Sequence, residues 1–295
     1  MSTLFGVPLQ AFLGQLLLGL INGSFYAMLS LGLAVIFGLL NVINMTHGAL
    51  YMVGAFVAWA LLNQLGIGYW WALLIAPAVV ALIGVVLECT MMRRLYKEDH
   101  LYGLLLTFGL VLIIEGGFRY RFGVSGMSYP IPDLLQGGTR IGSVYLPRYR
   151  CWVVLGSLTI CFGTWFAIER TRLGMYLRAS TENPVLVKAF GINVPVIVTL
   201  TYGAGVALAG LAGVLAAPIY QVSPTMGANL IVVVFAVVVI GGMGSILGAI
   251  ATGIALGLLE GMTKVFYPEA SNIVVFVIMA LVLLVKPAGL FGREA

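Results

Sequence analysis

Charged residues are what this sequence has least of. The first of them is Glu88, and Asp, Glu, Lys and Arg together make up 8% of the 295 residues. Soluble domains have about a quarter of their residues charged, whereas 61% of this chain is hydrophobic. The scarcity of charge excludes a soluble globular protein and predicts a polytopic membrane protein.

Cysteine and histidine are scarce as well. The three cysteines, Cys89, Cys151 and Cys161, form no C-x-x-C pair, and the two histidines, His47 and His100, lie far apart. We therefore expect no metal site and no cofactor, and we interpret the cysteines as small packed hydrophobic residues. No nucleophile–base pair or carboxylate dyad is visible, so we do not predict an enzyme. The basic residues are scattered at segment ends, so the net charge of +5 does not indicate nucleic-acid binding.

Long apolar segments fill most of the chain. A spanning helix needs about 20 apolar residues, whereas membrane β-strands are about ten residues long and alternate apolar with polar. We predict an all-α polytopic membrane protein, a single transmembrane domain over residues 1–295 with about eight crossings, within a range of about seven to ten. The apolar segments cover residues 9–40, 47–64, 70–92, 102–118, 151–168, 195–219, 228–250, 251–264 and 270–286.

The first apolar segment, residues 9–40, is too long for one upright crossing. As a helix it would extend about 48 Å, against a hydrocarbon core of about 30 Å. Asn22, Gly23 and Ser24 lie in its middle and could break the helix. The segment is either two short crossings or one crossing with a tilted or interfacial extension. We expect it to remain in the membrane instead of being cleaved as a signal peptide.

Three groups of basic residues orient the chain. Positive residues gather on the cytoplasmic side, so we predict a cytoplasmic loop at about 170–193 and an extracytoplasmic loop or small hairpin at about 122–150. The stretch 122–150 is rich in proline and glycine, although it also contains Arg140, Arg148 and Arg150. The groups assigned to the cytoplasm are Arg93, Arg94 and Lys97, then Arg170, Arg172, Arg178 and Lys188, and finally Lys286 and Arg293.

Glycine is abundant, with 38 residues, and much of it is regularly spaced. Small residues at four-residue spacing allow helix backbones to approach each other closely in lipid. We therefore predict a helix-packing role for the spaced glycines near the C-terminal end, which are Gly244, Gly248, Gly253, Gly257 and Gly261.

Residues 178–193, RASTENPVLVKAFGIN, predict a short capped helix. Asn183 is a good N-cap, Pro184 suits the first helical position and Gly191 suits the position after the last turn. The predicted helix covers residues 184–190. Its apolar face needs a cover, which is either another protein, the membrane surface or the rest of this chain. That face consists of Val185, Leu186, Ala189 and Phe190.

The sequence contains no G-x-x-x-x-G-K-[S/T] phosphate loop, so ATP-driven transport would need a separate ATPase. Ion-driven transport would instead need acidic residues within the membrane, and Glu115 and Glu260 lie in apolar segments. Each has a basic residue four positions later, Arg119 and Lys264. We favour ordinary ion pairing for both carboxylates.

A group of neutral polar residues in the first part of the chain interrupts apolar sequence. Such groups either satisfy the backbone of a broken helix or line a polar path through the membrane. We take all of them except Ser24 as candidates for a translocation path. The group comprises Asn22, Ser24, Asn41, Asn44, Thr46 and His47.

Several motifs, in order along nearly the whole chain, resemble one family of membrane proteins. GLINGSFYAMLSLGLAVIFGLLNVINMTHGALYMVGAF (19–56) is similar to the N-terminal signature of LivH-type permeases of the bacterial high-affinity branched-chain amino acid ABC transporter. The resemblance continues in RASTENPVLVKAFGIN, in the Gly/Ala-rich stretch 203–217, in GGMGSILGAIATGIALG (241–257) and in KPAGLFG (286–292).

This resemblance implies an ABC importer permease fold in the bacterial inner membrane, without ATPase activity of its own. Such a subunit forms half of the translocation pathway for leucine, isoleucine and valine, beside a second, LivM-type permease. Two cytoplasmic ATP-binding subunits and a periplasmic amino-acid-binding protein complete the importer. The alternatives are an ion-coupled secondary transporter of a small polar solute, or the same type of importer carrying amides or urea.

The resemblance also implies that residues 178–193 transmit the motion of the ATPase to the membrane domain. Polar contacts with the ATPase are expected from Arg178 and Glu182, while apolar side chains enter its groove and Gly191 permits the exit turn. The expected coupling residues are Arg178, Glu182, Val185, Leu186, Ala189, Phe190 and Gly191.

Overall fold

The computed structural model describes residues 3–4, 7–40, 44–96, 98–141 and 144–292. Asn41, Lys97 and Arg293, on which predictions were made, lie outside these ranges. The α-helices of the described residues are α1 (Leu9–Leu40), α2 (Thr46–Leu65), α3 (Tyr69–Leu87), α4 (Arg93–Leu95), α5 (His100–Phe122), α6 (Arg148–Arg170), α7 (Arg172–Glu182), α8 (Pro184–Ala189), α9 (Val194–Ala216), α10 (Met226–Gly241), α11 (Ile246–Phe266) and α12 (Val274–Val285).

Short elements connect these helices. A π-helical turn, Glu88–Met92, joins α3 to α4, and 3₁₀ turns occur at Asp133–Leu135 and Pro268–Ala270. The stretch 122–150, predicted as a loop or small hairpin, contains an antiparallel hairpin. The paired strands are β1 (Thr3–Leu4) with β2 (Val7–Pro8), and β3 (Gly138–Ile141) with β4 (Val144–Pro147).

Seven helices of the described residues are long and apolar enough to cross a membrane. The prediction of an all-α polytopic membrane protein is therefore confirmed, with a count at the lower end of the predicted range. Two further apolar helices, α10 and α12, have 16 and 12 residues, fewer than the about 20 that a full crossing needs. The spanning helices are Leu9–Gly38, Thr46–Leu65, Tyr69–Leu95, Leu101–Phe122, Arg148–Arg170, Val194–Ala216 and Ile246–Phe266.

Helix α1 is continuous through Asn22, Gly23 and Ser24, so of the two alternatives left open by the sequence the structure has the single long helix. The Ser24 hydroxyl donates to the Leu20 carbonyl at 2.8 Å, so it is satisfied inside the helix. A Cβ on Gly23 would lie 3.0 Å from the backbone of Ile254 in α11. The glycine therefore serves close helix contact instead of breaking the helix.

Two compact units make up the chain, and each is assembled from separate stretches. In the first unit, the N-terminal part of α1 packs on α11. In the second unit, α9 packs along α2 and α3. The prediction of a single membrane domain stays a prediction. The first unit comprises Met1–Ser30, Ile131–Cys161 and Val233–Ala295, and the second comprises Leu31–Pro130 and Phe162–Val232.

In the first unit, the spaced glycines of α11 lie against the backbone of α1. A Cβ on Gly253 would meet the backbone of Ala27, and one on Gly261 would lie 2.6 Å from the Gln15 carbonyl oxygen. Gly257 lies between them and faces the backbone of Gly23. These glycines and the facing backbone of α1 form a close-packed contact, called the glycine seam below, because no side chains separate the two backbones.

The two glycines before this seam have different roles. Gly248 faces the backbone of Gly241, across the turn that joins α10 to α11. Gly244, predicted to pack between helices, lies in that turn and has a φ of 83°. Because a side chain disfavours that conformation, Gly244 shapes the turn and is not part of a helix face.

We expect Gly257→Ala to destabilise the protein by about 1–3 kcal/mol, because its methyl group would overlap the α1 backbone. The matched control is Gly156→Ala in α6, where a Cβ would have no atom within 4 Å; helix propensity alone would stabilise this control by about 0.5–1 kcal/mol. The measurement is the thermal unfolding temperature in detergent. Equal unfolding temperatures for the two variants would contradict the account of the seam.

Candidate functional site

The predicted short helix is present as α8, Pro184–Ala189, one residue shorter than expected. The Asn183 side chain accepts the backbone N–H of Leu186 at 3.0 Å and so caps the first turn. Gly191 has a φ of 80°, and its N–H donates to the Lys188 carbonyl at 2.9 Å. These local signals define both ends of the helix, as the sequence predicted.

The apolar face of α8 is uncovered. Val185 and Phe190 are each 77% exposed and Leu186 is 55% exposed, and Ala189 is exposed as well. Val187, which the sequence analysis did not single out, is buried and attaches the helix to the rest of the unit. The helix therefore presents its large apolar side chains outward.

Helix α7 is held against the end of α6. The Arg178 guanidinium donates to the Ile168 carbonyl at 2.8 Å and lies 3.4 Å from the Glu169 carboxylate. Gly174 permits this approach, since a Cβ there would overlap the Ile168 carbonyl. Arg178 thus has partners within the chain, whereas Glu182 is exposed. Their contacts with an ATPase stay predictions.

An apolar cavity of about 600 Å³ lies between the end of α6, α7 and α9. Leu173 and Leu177 of α7 and Leu200 of α9 are among its lining residues. Dense packing would fix α7 on α9. The cavity interrupts this packing on one side, but the buried Gly174, Leu177 and Ser180 attach α7 to the unit, as the buried Val187 attaches α8.

Three of the five residues predicted for the translocation path come together at the start of α2. Asn44, Thr46 and His47 are fully buried. The Asn44 amide donates to the Tyr202 hydroxyl at 3.1 Å, and the Thr46 hydroxyl donates to the Thr107 carbonyl at 3.3 Å. The Asn44 amide oxygen has no hydrogen-bond partner among the described residues.

The other path candidates lie elsewhere or are not described. Asn22 is half-buried in the N-terminal part of α1, which belongs to the other unit. Asn41 lies outside the described residues. His47 packs tightly against α1: a Cβ on Gly32 would lie 2.9 Å from its ring. The cluster at the start of α2 therefore consists of Asn44, Thr46 and His47, joined by Tyr202.

Glu88 is a buried charge that the sequence analysis did not assign to a site. It is fully buried in the π turn after α3. Its carboxylate accepts the Tyr96 hydroxyl at 3.0 Å, the Thr199 hydroxyl at 2.7 Å and the Arg93 guanidinium at 3.4 Å. Burial, and after it the Glu88 charge, raise the pKa of Tyr96 above its ordinary value, so its hydroxyl stays protonated and donates.

The sequence shows that Glu88 is the first charged residue of the chain, which could have marked it as a site. The sequence does not show which residue of another helix it contacts. Thr199 lies in α9, 111 residues away along the chain. The contact brings the end of α3, with Arg93, to the start of α9, just after the α7–α8 segment. Two of the basic groups assigned to the cytoplasm thus lie at the same end of this unit.

The two intramembrane carboxylates differ in their surroundings. Glu260 pairs with Lys264, as predicted, and accepts the Tyr26 hydroxyl at 2.7 Å. Glu115 is 7% exposed, and its Oε1 has no hydrogen-bond partner among the described residues. Among the residues that the structure describes, Glu115 and Arg119 form no direct ion pair.

Long apolar helices and polar groups buried between them define a multi-pass membrane protein. Its family follows from comparison: the chain belongs to the branched-chain amino acid transport system / permease component family, whose model matches residues 15–283.

Individual relatives agree with this assignment. The permease BraD of the high-affinity branched-chain amino acid transport system of Pseudomonas aeruginosa is 31% identical over 297 residues, 96% of both chains. LivH of Escherichia coli is 29% identical over 299 residues, again 96% of both chains. LivM of the same organism is 30% identical over 291 residues, 90% of this chain and 67% of LivM.

The comparison with solved structures is separate from this assignment and adds no support to it. PsaBC from Streptococcus pneumoniae, in complex with Fab, matches 94% of this chain and 89% of its own chain at 15% identity, with a TM-score of 0.42.

We expect Asn183→Ala to fray α8, because it removes the acceptor that caps the first turn. The loss should be about 1 kcal/mol, roughly a fivefold faster amide exchange over residues 184–190. Asn183→Asp retains an acceptor and should exchange as the unmodified chain does. Hydrogen–deuterium exchange with mass spectrometry checks both variants, and unchanged protection in Asn183→Ala would contradict the capping role.

Proposed function

We propose that the chain is a permease subunit of an ATP-driven importer of the bacterial inner membrane. It forms half of the translocation pathway for branched-chain amino acids, beside a second related permease of the LivM type. Two cytoplasmic ATP-binding subunits and a periplasmic amino-acid-binding protein complete the assembly. Family membership supports the transport role, and the relatives BraD and LivH, permeases of branched-chain amino acid systems, support the cargo.

A pair of similar permeases is supported by the relatives themselves. LivH and LivM are permeases of Escherichia coli, and this chain matches both, over 96% and 90% of its length. Two subunits that share a fold can form a pathway around a pseudo-twofold axis. The match covers 96% of LivH but only 67% of LivM. This difference favours the LivH-type subunit, and not the LivM-type subunit, as the role of this chain in the pair.

The observation that carries the proposal is the uncovered apolar face of α8. A helix of six residues is marginal in water without tertiary support, yet α8 has caps at both ends and exposes Val185, Leu186 and Phe190. A groove on a partner would cover these side chains. Because the sequence has no phosphate loop, a partner ATPase is also what ATP-driven transport requires.

The rest of the segment fits this docking role. Glu182 and Lys188 are exposed beside the apolar face and can form polar contacts at its rim. Arg178, which pairs with Glu169, holds α7 in place and so sets the position of α8. The Gly191 turn then leads directly into α9.

In this proposal, the buried cluster at the start of α2 contributes to the pathway. Its groups are neutral, which suits a solute that must be released and not held tightly. Asn44 is the best placed of them, because its buried amide oxygen has no partner among the described residues. Selectivity for the amino acid then resides mainly in the binding protein.

Reconstitution tests the function as a whole. The assembled permeases, ATPases and binding protein are placed in proteoliposomes, and uptake of radiolabelled leucine is measured with and without ATP. The proposal predicts ATP-dependent uptake for which isoleucine and valine compete. If urea or simple amides compete and isoleucine and valine do not, the chain is still part of an importer, but its cargo is not branched-chain amino acids.

We expect Phe190→Asp to release the ATPase, because it places a charge at the centre of the apolar face. A lost interface anchor weakens binding by about 2 kcal/mol, roughly 30-fold. Leu134→Asp adds the same charge at an apolar residue of similar exposure in the stretch 122–150, outside residues 178–193, and should retain binding. The amount of ATPase that co-purifies with the tagged permease measures binding for both variants. Equal amounts from the two variants would show that α8 is not part of the interface.

The alternative, an ion-coupled transporter, is favoured by one observation, the buried and incompletely paired carboxylate of Glu115. A proton-carrying role would make Glu115→Gln abolish uptake. Our proposal expects uptake by this variant to equal that of the unmodified chain, because energy enters through the ATPase. Uptake that is lost in Glu115→Gln but retained in Phe190→Asp would establish the alternative.

A further inference from the structure

The carboxylate of Glu88 joins two helices and the charged end of a third segment. Its Oε2 accepts the hydroxyl of Thr199 in α9 at 2.7 Å, and its Oε1 accepts the hydroxyl of Tyr96 at 3.0 Å. Arg93 donates to the carboxylate and, at 2.7 Å, to the Thr199 hydroxyl. Glu88 is fully buried, whereas the Arg93 side chain is 44% exposed. The network thus extends from a buried charge to the surface.

The π turn explains why Glu88 and Arg93 meet. In an α-helix, residues five apart point in different directions, because each residue advances by about 100°. Within Glu88–Met92 the backbone bonds run from i to i+5, and the N–H of Arg93 donates to the carbonyl of Glu88. The widened turn therefore returns Arg93 to the side of Glu88. Such turns are frequent at functional sites.

The same face of α9 connects this network to the buried polar cluster at the start of α2. Tyr202 lies three residues after Thr199, one helical turn further from the start of α9. Its hydroxyl accepts the amide of Asn44 at 3.1 Å. Successive turns of α9 are therefore tied to the end of α3 by Thr199 and to the start of α2 by Tyr202. Both ties belong to one compact unit.

We propose that Glu88 is a positioning residue that, through Thr199, makes α9 move together with α3 when the α7–α8 segment is displaced. This inference rests on the proposed function, because the displacement comes from the ATPase. Helix α9 follows α8 after the Gly191 turn, so a shift of α8 acts first on the start of α9. Without the Thr199–Glu88 bond, α9 can shift against the end of α3, so a motion that reaches Asn44 through Tyr202 is not shared with α3.

The Thr199 hydroxyl offers a mild way to test this role. Thr199→Val removes the bond to Glu88 and retains the volume of the side chain, while Thr199→Ser retains the hydroxyl. Thr199 is half-buried, so neither change opens a large cavity. Glu88→Gln is the second variant, because it retains hydrogen bonding from Tyr96 but removes the charge that faces Arg93. Glu98→Gln removes the same charge at an exposed position nearby and serves as control.

The readout is the ratio of leucine taken up to ATP hydrolysed by the complete importer in proteoliposomes. We expect this ratio to fall by roughly fivefold or more in Thr199→Val and Glu88→Gln, with ATP hydrolysis continuing. Thr199→Ser and Glu98→Gln should match the unmodified chain. The double variant Thr199→Val/Glu88→Gln should be no worse than the lower single variant, because both remove the same link.

Two results would overturn the inference. One is an unchanged ratio in Thr199→Val while the unmodified importer transports; this leaves the proposed function intact. The other is a fall in uptake and ATP hydrolysis in equal proportion, which indicates a general loss of folded importer. If the unmodified chain neither assembles with an ATPase nor supports ATP-driven uptake, the proposed function fails and this inference fails with it.

Discussion

The absence of water in the bilayer is the constraint on which the rest of this structure depends. Backbone groups without water must bond within their own segment, so the chain crosses as uninterrupted helices. Helix α1 remains continuous through Asn22, Gly23 and Ser24 for this reason. Hydrophobic burial cannot hold helices together in lipid, so close backbone contact does so instead. The glycine seam between α11 and α1 is the result.

The same constraint decides where polar groups can lie. A carboxylate is costly away from water unless it is paired and hydrogen-bonded. Glu260 meets this condition with Lys264 and Tyr26, and Glu88 meets it with Arg93, Tyr96 and Thr199. The apolar face of α8 is the reverse case, because it lies outside the spanning helices and is exposed. Under the proposed function, a partner subunit covers this face.

Features set by local sequence were predictable, and features set by distant contacts were not. Asn183, Pro184 and Gly191 define the ends of α8 through bonds within a few residues, so the helix could be predicted. The spacing of Gly253, Gly257 and Gly261 predicted close packing, but Gly244 adopts a positive φ that the same spacing did not indicate. The role of Glu88 depends on Thr199 in another helix, and no local pattern indicates that contact.

The central claim is that this chain acts as one permease of a larger assembly driven by a separate ATPase. Native mass spectrometry of the tagged chain, gently extracted from its own membrane, tests that claim most directly. The account predicts a complex with one second permease and two ATP-binding subunits. A solitary chain that still supports uptake after reconstitution would contradict it.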